Sequence, residues 1–181
     1  CDSLLILDEL SQLEPKMAGE CAYMLANEQD KRRKQQKLAG NNARLRWRLL
    51  FLSSGELGLA DHMAEGGKRV KPGQEVRMPE IPADAGQGMG AFENLNGAAS
   101  PAEFSKSLVA AAEKCHGAVG LAWLQWCSAN AADLPRLVKQ AAAPLAAAWT
   151  PAGASGQVSR VAARFALVAV AGNLATAAGL T

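Results

Sequence analysis

The sequence predicts a mixed α/β protein: a parallel sheet flanked by helices, then an all-α helical region. Three observations carry this. Two short, continuous aliphatic runs, Leu4–Leu7 and Leu49–Leu52, read as buried strands of a parallel sheet. A stretch with helical spacing, Met17 to Asn27, lies between them and is expected to pack on that sheet. From Ser100 onward the chain is alanine-rich and helix-periodic. The expected division is residues 1–99 for the sheet-bearing part and 100–181 for the helical part. At 181 residues the chain can bury one core, or one core plus a small helical appendage.

Composition narrows the partners only slightly. The formal net charge is +2, so global charge points to none. No run of 18 apolar residues occurs, so no membrane-spanning segment is expected. The start, Cys1-Asp2-Ser3, has neither an initiator methionine nor a signal-peptide pattern, and Ala178–Thr181 has no obvious terminal feature. The chain therefore reads as a piece of a longer polypeptide. Its four cysteines, Cys1, Cys21, Cys115 and Cys127, show neither metal-ligand spacing nor a dense disulfide pattern, as expected of free thiols in a cytoplasmic protein. Cys115, His116 and Cys127 would supply three zinc ligands without an evident fourth.

The first aliphatic run ends in two adjacent acids, Asp8 and Glu9. Acids at the carboxyl end of such a strand lie in the crevice where open α/β sheets bind ligands. This is the pattern of a Walker B strand in a P-loop ATPase. Asp8 would hold magnesium, usually through water, and Glu9 would orient and deprotonate the attacking water. The same residues also fit a core strand ending in a capped turn.

Ser11–Pro15 then reads as a turn, with Pro15 suited to a first helical turn. In the helix that follows, Met17, Cys21, Met24 and Leu25 share the apolar spacing. The next stretch is basic. Eight of the 19 Lys and Arg residues fall between Lys31 and Arg48, with no acid among them: Lys31, Arg32, Arg33, Lys34, Lys37, Arg44, Arg46 and Arg48. Gly40-Asn41-Asn42 marks a turn within it. Such a loop or hairpin fits contact with nucleic-acid phosphates, and equally a solvated charged face.

The second run ends at Ser53-Ser54-Gly55-Glu56. Beside a Walker B strand this is the place of the "sensor 1" residue, which hydrogen-bonds the γ-phosphate or the attacking water. Ser54 is the first candidate, Ser53 the alternate, and Glu56 a further polar contact. The competing reading is a helix N-cap for Leu57–Ala64. Gly67-Lys68 is not a P-loop, because the upstream glycine and the following Ser or Thr are missing. Glu75–Pro82 reads as a short edge strand carrying Arg77. Arg77 is either an arginine finger for a neighbouring subunit's nucleotide or a salt-bridged surface residue. Ala83–Ala99 is a glycine-rich loop long enough to order against a partner or ligand.

Ser100-Pro101-Ala102-Glu103 opens the helical region as a capping box. Helices are expected to about Cys115, then over Leu121 to Cys127, over Leu134 to Trp149, and after Ser155. Gly117 and Gly120 mark a break or a close helix crossing. The tryptophans, each embedded in apolar helix, are expected in the core. Val158, Ala162, Phe165 and Ala169 share one face of the last helix. Arg160 and Arg164, four apart, form either a phosphate-reaching lid pair or a solvated face.

Several longer stretches follow in order: Leu-Leu-Ile-Leu-Asp-Glu (4–9), Ala-Tyr-Met-Leu-Ala-Asn (22–27), Trp-Arg-Leu-Leu-Phe-Leu-Ser-Ser-Gly-Glu (47–56), Gly-Gln-Glu-Val-Arg-Met-Pro-Glu-Ile-Pro-Ala-Asp (73–84) and Arg-Phe-Ala-Leu-Val-Ala-Val-Ala-Gly-Asn-Leu-Ala (164–175). Together they resemble a bacterial domain-of-unknown-function family of prophages, plasmids and genomic islands. Its members are labelled "superfamily II helicase and inactivated derivatives" and are associated with primase modules. This chain has Glu28-Gln29-Asp30 where members tend to be glycine-rich, and Asn173 where they often carry an acid.

The resemblance implies the carboxy-terminal half of a P-loop NTPase, with Walker A upstream, followed by a truncated helical subdomain. Asp8 and Glu9 match the Walker B pair, Ser53–Glu56 the strand-end motif, and Arg77 the family's arginine. The implied cofactors are ATP and magnesium. The implied partner is DNA, in replication of a mobile element, and a finger at Arg77 implies a homo-oligomer. A fragment without Walker A is expected to be inactive alone. Two rivals stand beside this: a non-catalytic DNA-binding or assembly module, and a plain structural α/β domain.

Overall fold

The computed structural model describes residues 4–9, 12–28 and 46–180. It is mixed α/β and mostly helical, and the described residues include a small two-stranded parallel sheet. The chain divides into two compact units, Cys1–Glu80 and Ile81–Thr181.

In the first unit, β1 (Leu4–Leu7) and β2 (Leu50–Ser53) pair in parallel, with Leu4 opposite Leu50 and Leu7 opposite Ser53. This register puts the two carboxyl ends side by side. The strands are not buried on both faces as their composition predicts. Leu4, Ile6, Leu50 and Leu52 fall on one face by their shared register, and they are 57% to 68% exposed. Leu5, Leu7, Phe51 and Ser53, on the other face, are half-buried.

Helix α1 (Pro15–Ala26) opens on Pro15, as expected, two residues before the predicted start. The side it buries differs from the predicted one. Ala18, Gly19 and Ala22 are covered, whereas Met17 is exposed and Cys21, Met24 and Leu25 are only half-buried. The reason is its neighbour. Helix α1 packs on helix α2 (Leu59–Glu65), with α3 (Pro72–Glu75) beside it, and close approach of two helices favours small residues. A Cβ on Gly19 would lie 2.6 Å from the Met63 sulfur, so glycine is what lets the helices meet. The core of the unit is Ala18, Ala22, Leu59 and Met63, with Leu13, Val70 and Met78 against it.

The edge strand expected at Glu75–Pro82 is a correction: a helical turn takes its place. Pro72 occupies the first helical turn of α3, and the Gln74 side-chain oxygen accepts from the Lys71 backbone N–H at 2.8 Å. The turn continues with Arg77 and Met78 backbone N–H groups donating to the Gln74 carbonyl, each at 3.0 Å. Local capping thus wins over a weak strand propensity.

The second unit begins with the glycine-rich segment, whose Phe92 packs edge-on against Phe104 of helix α4 (Pro101–Lys114), 4.9 Å between ring centroids. Ser100 caps α4 by accepting the Glu103 N–H at 3.2 Å. Gly117, at a φ of 78°, makes the break before α5 (Ala118–Ala129), while Gly120 lies inside that helix. Helices α6 (Leu134–Ala148) and α7 (Gly156–Ala177) pack on each other. The buried stripe of α7 is Ala162, Ala166 and Val170, not the predicted Val158, Ala162, Phe165 and Ala169. Val158 is exposed, and Phe165 and Ala169 are half-buried. The tryptophans also depart from expectation: Trp149 is 47% exposed, and Trp123 and Trp126 are half-buried and stacked on each other, 5.3 Å apart. Among the described residues, α7 is long and apolar enough to cross a membrane by length and composition, with 17% of its apolar window buried. Arg160 and Arg164 interrupt its apolar sequence, which therefore contains no 18 consecutive apolar residues.

Candidate functional site

The site lies where β1 and β2 end. The ladder continues one step past β2, with the Ser54 N–H donating to the Leu7 carbonyl at 3.2 Å, so Ser54 stands beside Asp8. The Ser54 hydroxyl donates to Asp8 Oδ1 at 2.8 Å and accepts the Glu9 N–H at 3.0 Å. One hydroxyl therefore holds both acidic residues, using its single proton on the Asp8 carboxylate.

Glu9 turns the chain out of the strand. Its φ is 59°, the left-handed region that a residue with a Cβ enters at a cost of about 1–2 kcal/mol. Two backbone hydrogen bonds hold it there: its own N–H to Ser54, and the Gln12 N–H to its carbonyl at 3.1 Å. The turn breaks strand alternation, which would send the side chains of residues 8 and 9 to opposite faces. The Glu9 carboxylate also accepts from Gln12 Nε2 at 3.2 Å.

Asp8, Glu9 and Ser54 are thus brought together by the parallel register, and all three are exposed to an incoming ligand. Ser53 is next to them but half-buried, its hydroxyl turned to the Ser54 carbonyl at 3.2 Å. Glu56 is exposed on the bend beyond. The helix-cap alternative for the serines does not hold. Helix α2 starts from Gly58, and its Ala60 N–H is served by the Glu80 carboxylate at 3.4 Å.

Residues 1–44 match the model of a family described as a domain of unknown function (DUF927). That match takes in β1, both acids and α1. No curated protein and no solved structure matches the chain.

Arg77 lies apart from the strand-end cluster. Its guanidinium sits 4.3 Å from the centroid of the Tyr23 ring and donates to the Gly73 carbonyl at 2.7 Å and to Asn27 Oδ1 at 3.5 Å. These contacts tie the α3 turn to α1. Of the basic stretch, Lys31, Arg32, Arg33, Lys34, Lys37 and Arg44 lie outside the described residues. Its last part is described: Arg46 and Arg48 are exposed on either side of Trp47. Trp47 is pinned to the end of α1, its Nε1–H donating to the Leu25 carbonyl at 2.9 Å and its backbone N–H to the Glu28 carbonyl at 3.1 Å.

Among the described residues no group of three or more His, Cys, Asp or Glu is arranged for a metal ion. Cys21, Cys115 and Cys127 are free thiols. The Asp8–Ser54 pair is an all-oxygen set with one carboxylate. That suits magnesium, which keeps most of its waters and takes one or two carboxylates plus substrate phosphates.

Two residues at the site carry no sequence signal. Gln12 is a turn residue by pattern, and only its placement three residues after a left-handed Glu9 gives it a carboxylate to hold. His62 is 3% exposed, and its Nε2 lies 2.8 Å from the Leu13 carbonyl, anchoring the segment that carries Gln12. A single histidine on a short helix gives no pattern to read.

Proposed function

We propose that Asp8, Glu9 and Ser54 are the magnesium-and-water half of an ATP-hydrolysing site, in a helicase-like motor that works on the DNA of a mobile genetic element. The observation that supports this best is the serine hydroxyl bridging two consecutive acids at the ends of adjacent parallel strands.

In this reading Asp8 holds magnesium through water, and Ser54 keeps the Asp8 carboxylate in place. Magnesium, when bound, offsets phosphate charge. Glu9 accepts a proton from the water that attacks the γ-phosphate. Ser54 donates to a γ-phosphate oxygen only by giving up its hydrogen bond to Asp8, whereas its second lone pair can accept from the attacking water as it stands. The phosphate-cradling loop comes from sequence outside these 181 residues, since no Gly-x-x-x-x-Gly-Lys-Ser/Thr occurs among them. The basic residues between Lys31 and Arg48 contact the DNA backbone; of these, Arg46 and Arg48 are exposed beside Trp47. A homo-oligomer with Arg77 as its finger requires the guanidinium to leave Tyr23 and Gly73.

The test is ATP hydrolysis, with and without DNA, by the polypeptide that carries the phosphate loop together with these residues. DNA-stimulated turnover supports the motor. No turnover under any condition, with salt-sensitive DNA binding retained, replaces it with the non-catalytic DNA-binding module. Neither activity leaves a structural domain.

A further inference from the structure

We propose that Lys68, Arg69 and Lys71, with Lys16 beside them, form a second phosphate-contact surface for DNA, at the end of α1 opposite to Arg46 and Arg48. This deepens the DNA-binding reading above and rests on it. The residues it adds lie outside the basic stretch Lys31–Arg48.

From Gly66 to Gln74 the sequence carries Lys68, Arg69 and Lys71 and no acid. All three are exposed, as is Lys16. The backbone beneath them is fixed from the interior. Val70 packs against the core of Ala18, Ala22, Leu59 and Met63, and its two neighbours, Arg69 and Lys71, stay at the surface. The Lys68 N–H donates to the Met63 carbonyl at 3.0 Å, and its Nζ donates to the Lys16 carbonyl at 2.9 Å. An ammonium has three protons, so two remain for a phosphate. The Lys71 N–H donates to Gln74 Oε1 at 2.8 Å, and its carbonyl accepts the Gln74 N–H at 2.7 Å. These cations thus stand on backbone that is ordered before a ligand arrives, which lowers the entropy lost on binding.

The other end of α1 is built the same way. Trp47 is pinned to the Leu25 carbonyl, and Arg46 and Arg48 on either side of it are exposed. Helix α1 has 12 residues, which puts the two clusters about 18 Å apart along its axis. That is the length of about five phosphates on one strand of a duplex. Cations spaced in this way suit a polyanion better than a single anionic group. The bordering acids in the sequence are Glu65 and Glu75, and the Glu65 carboxylate lies 3.6 Å from His62 Nδ1. A membrane surface fits less well, because Val70, the apolar residue of the cluster, is turned to the core and leaves nothing to insert. Lysine and arginine on phosphates fix position and read no sequence, so the surface is expected to bind all duplexes alike.

The test is binding of the 181-residue chain to random-sequence duplex DNA, followed by fluorescence anisotropy over a range of salt concentrations. Arg69→Gln/Lys71→Gln is expected to weaken binding and to make the slope of log affinity against log salt shallower by about 2, one for each lost cation, with Tm unchanged. Arg69→Lys/Lys71→Arg is expected to restore the wild-type slope. An unchanged slope in the Gln pair, with a shallower one in Arg46→Gln/Arg48→Gln, overturns this surface and keeps DNA as the partner. Equal loss in the Gln pair and in the charge-keeping pair also overturns it, since charge is then not what acts. No duplex binding by the wild type at low salt overturns the DNA-binding reading itself, and binding to phosphatidylserine vesicles in its place gives the surface to a membrane.

Discussion

The strand ends of the first unit and the helices of the second are held together in opposite ways. At the strand ends, hydrogen bonds between named atoms decide the geometry: Ser54 to Asp8, Glu9 to Ser54, Gln12 to Glu9. In the helical unit α6 packs on α7, yet little of the apolar surface is covered. Among the described residues there, only Ala162, Ala166 and Val170 are buried, while Val119, Leu121 and Leu124 of the uncharged α5 stay exposed. Hydrogen-bond geometry is directional and positions chemistry, whereas apolar surface is non-directional and answers to area. The first region is therefore where a reaction is to be sought. The second leaves apolar side chains of α5 exposed.

The largest effect expected on stability lies in the first unit's small core. Leu59 is 2% exposed, and Leu59→Ala is expected to destabilise the unit by about 2–5 kcal/mol, read by urea unfolding. A loss confined to this unit, with helical-unit amides exchanging as before, would keep the two units energetically separate. Uniform loss across both would break the comparison.

A smaller effect sharpens it from the polar side. Ser54→Ala removes the shared hydroxyl, and about 1 kcal/mol of stability is expected to go with it. The Glu9 amide should then exchange with solvent faster than its neighbours. Unchanged exchange there would mean that the left-handed turn holds itself.

The smallest effect belongs to α5. Leu124 is 65% exposed, so Leu124→Gln is expected to move the stability of the 181-residue chain by less than about 0.5 kcal/mol. A loss of 2 kcal/mol or more, on the order of a buried leucine, would show that this face is covered in solution and remove the contrast.

Much of the site was legible because it depends on strand ends. Two aliphatic runs, each closing in polar residues, predict parallel neighbours, and the register then puts Ser54 beside Asp8 without further information. The Ser100 cap and the breaks at Gly117 and Thr150–Gly153 are also local and were readable. What failed depends on neighbours. The buried side of α1 is the small-residue side because α2 approaches it closely, and sequence periodicity favoured its bulkier side. Glu75–Pro82 suggested a short edge strand, but Pro72 and the Gln74–Lys71 bond made a helical turn. The exposure of Leu4, Ile6, Leu50 and Leu52 was invisible, since aliphatic content says that a strand is fit for burial and nothing about what lies over it. Gln12 and His62 act through backbone atoms of other segments, which no spacing rule reports.

The central claim is that Glu9 is the base of an ATP-hydrolysing site whose binding half is separate from it. It is tested most directly by measuring ATP binding and ATP turnover side by side for wild type and Glu9→Gln, in the protein that includes the phosphate-cradling loop. The prediction is retained binding with turnover reduced by about 100-fold or more, the range for loss of a general base. Turnover at the wild-type rate in Glu9→Gln would contradict the account and remove the strand-end acids from the chemistry.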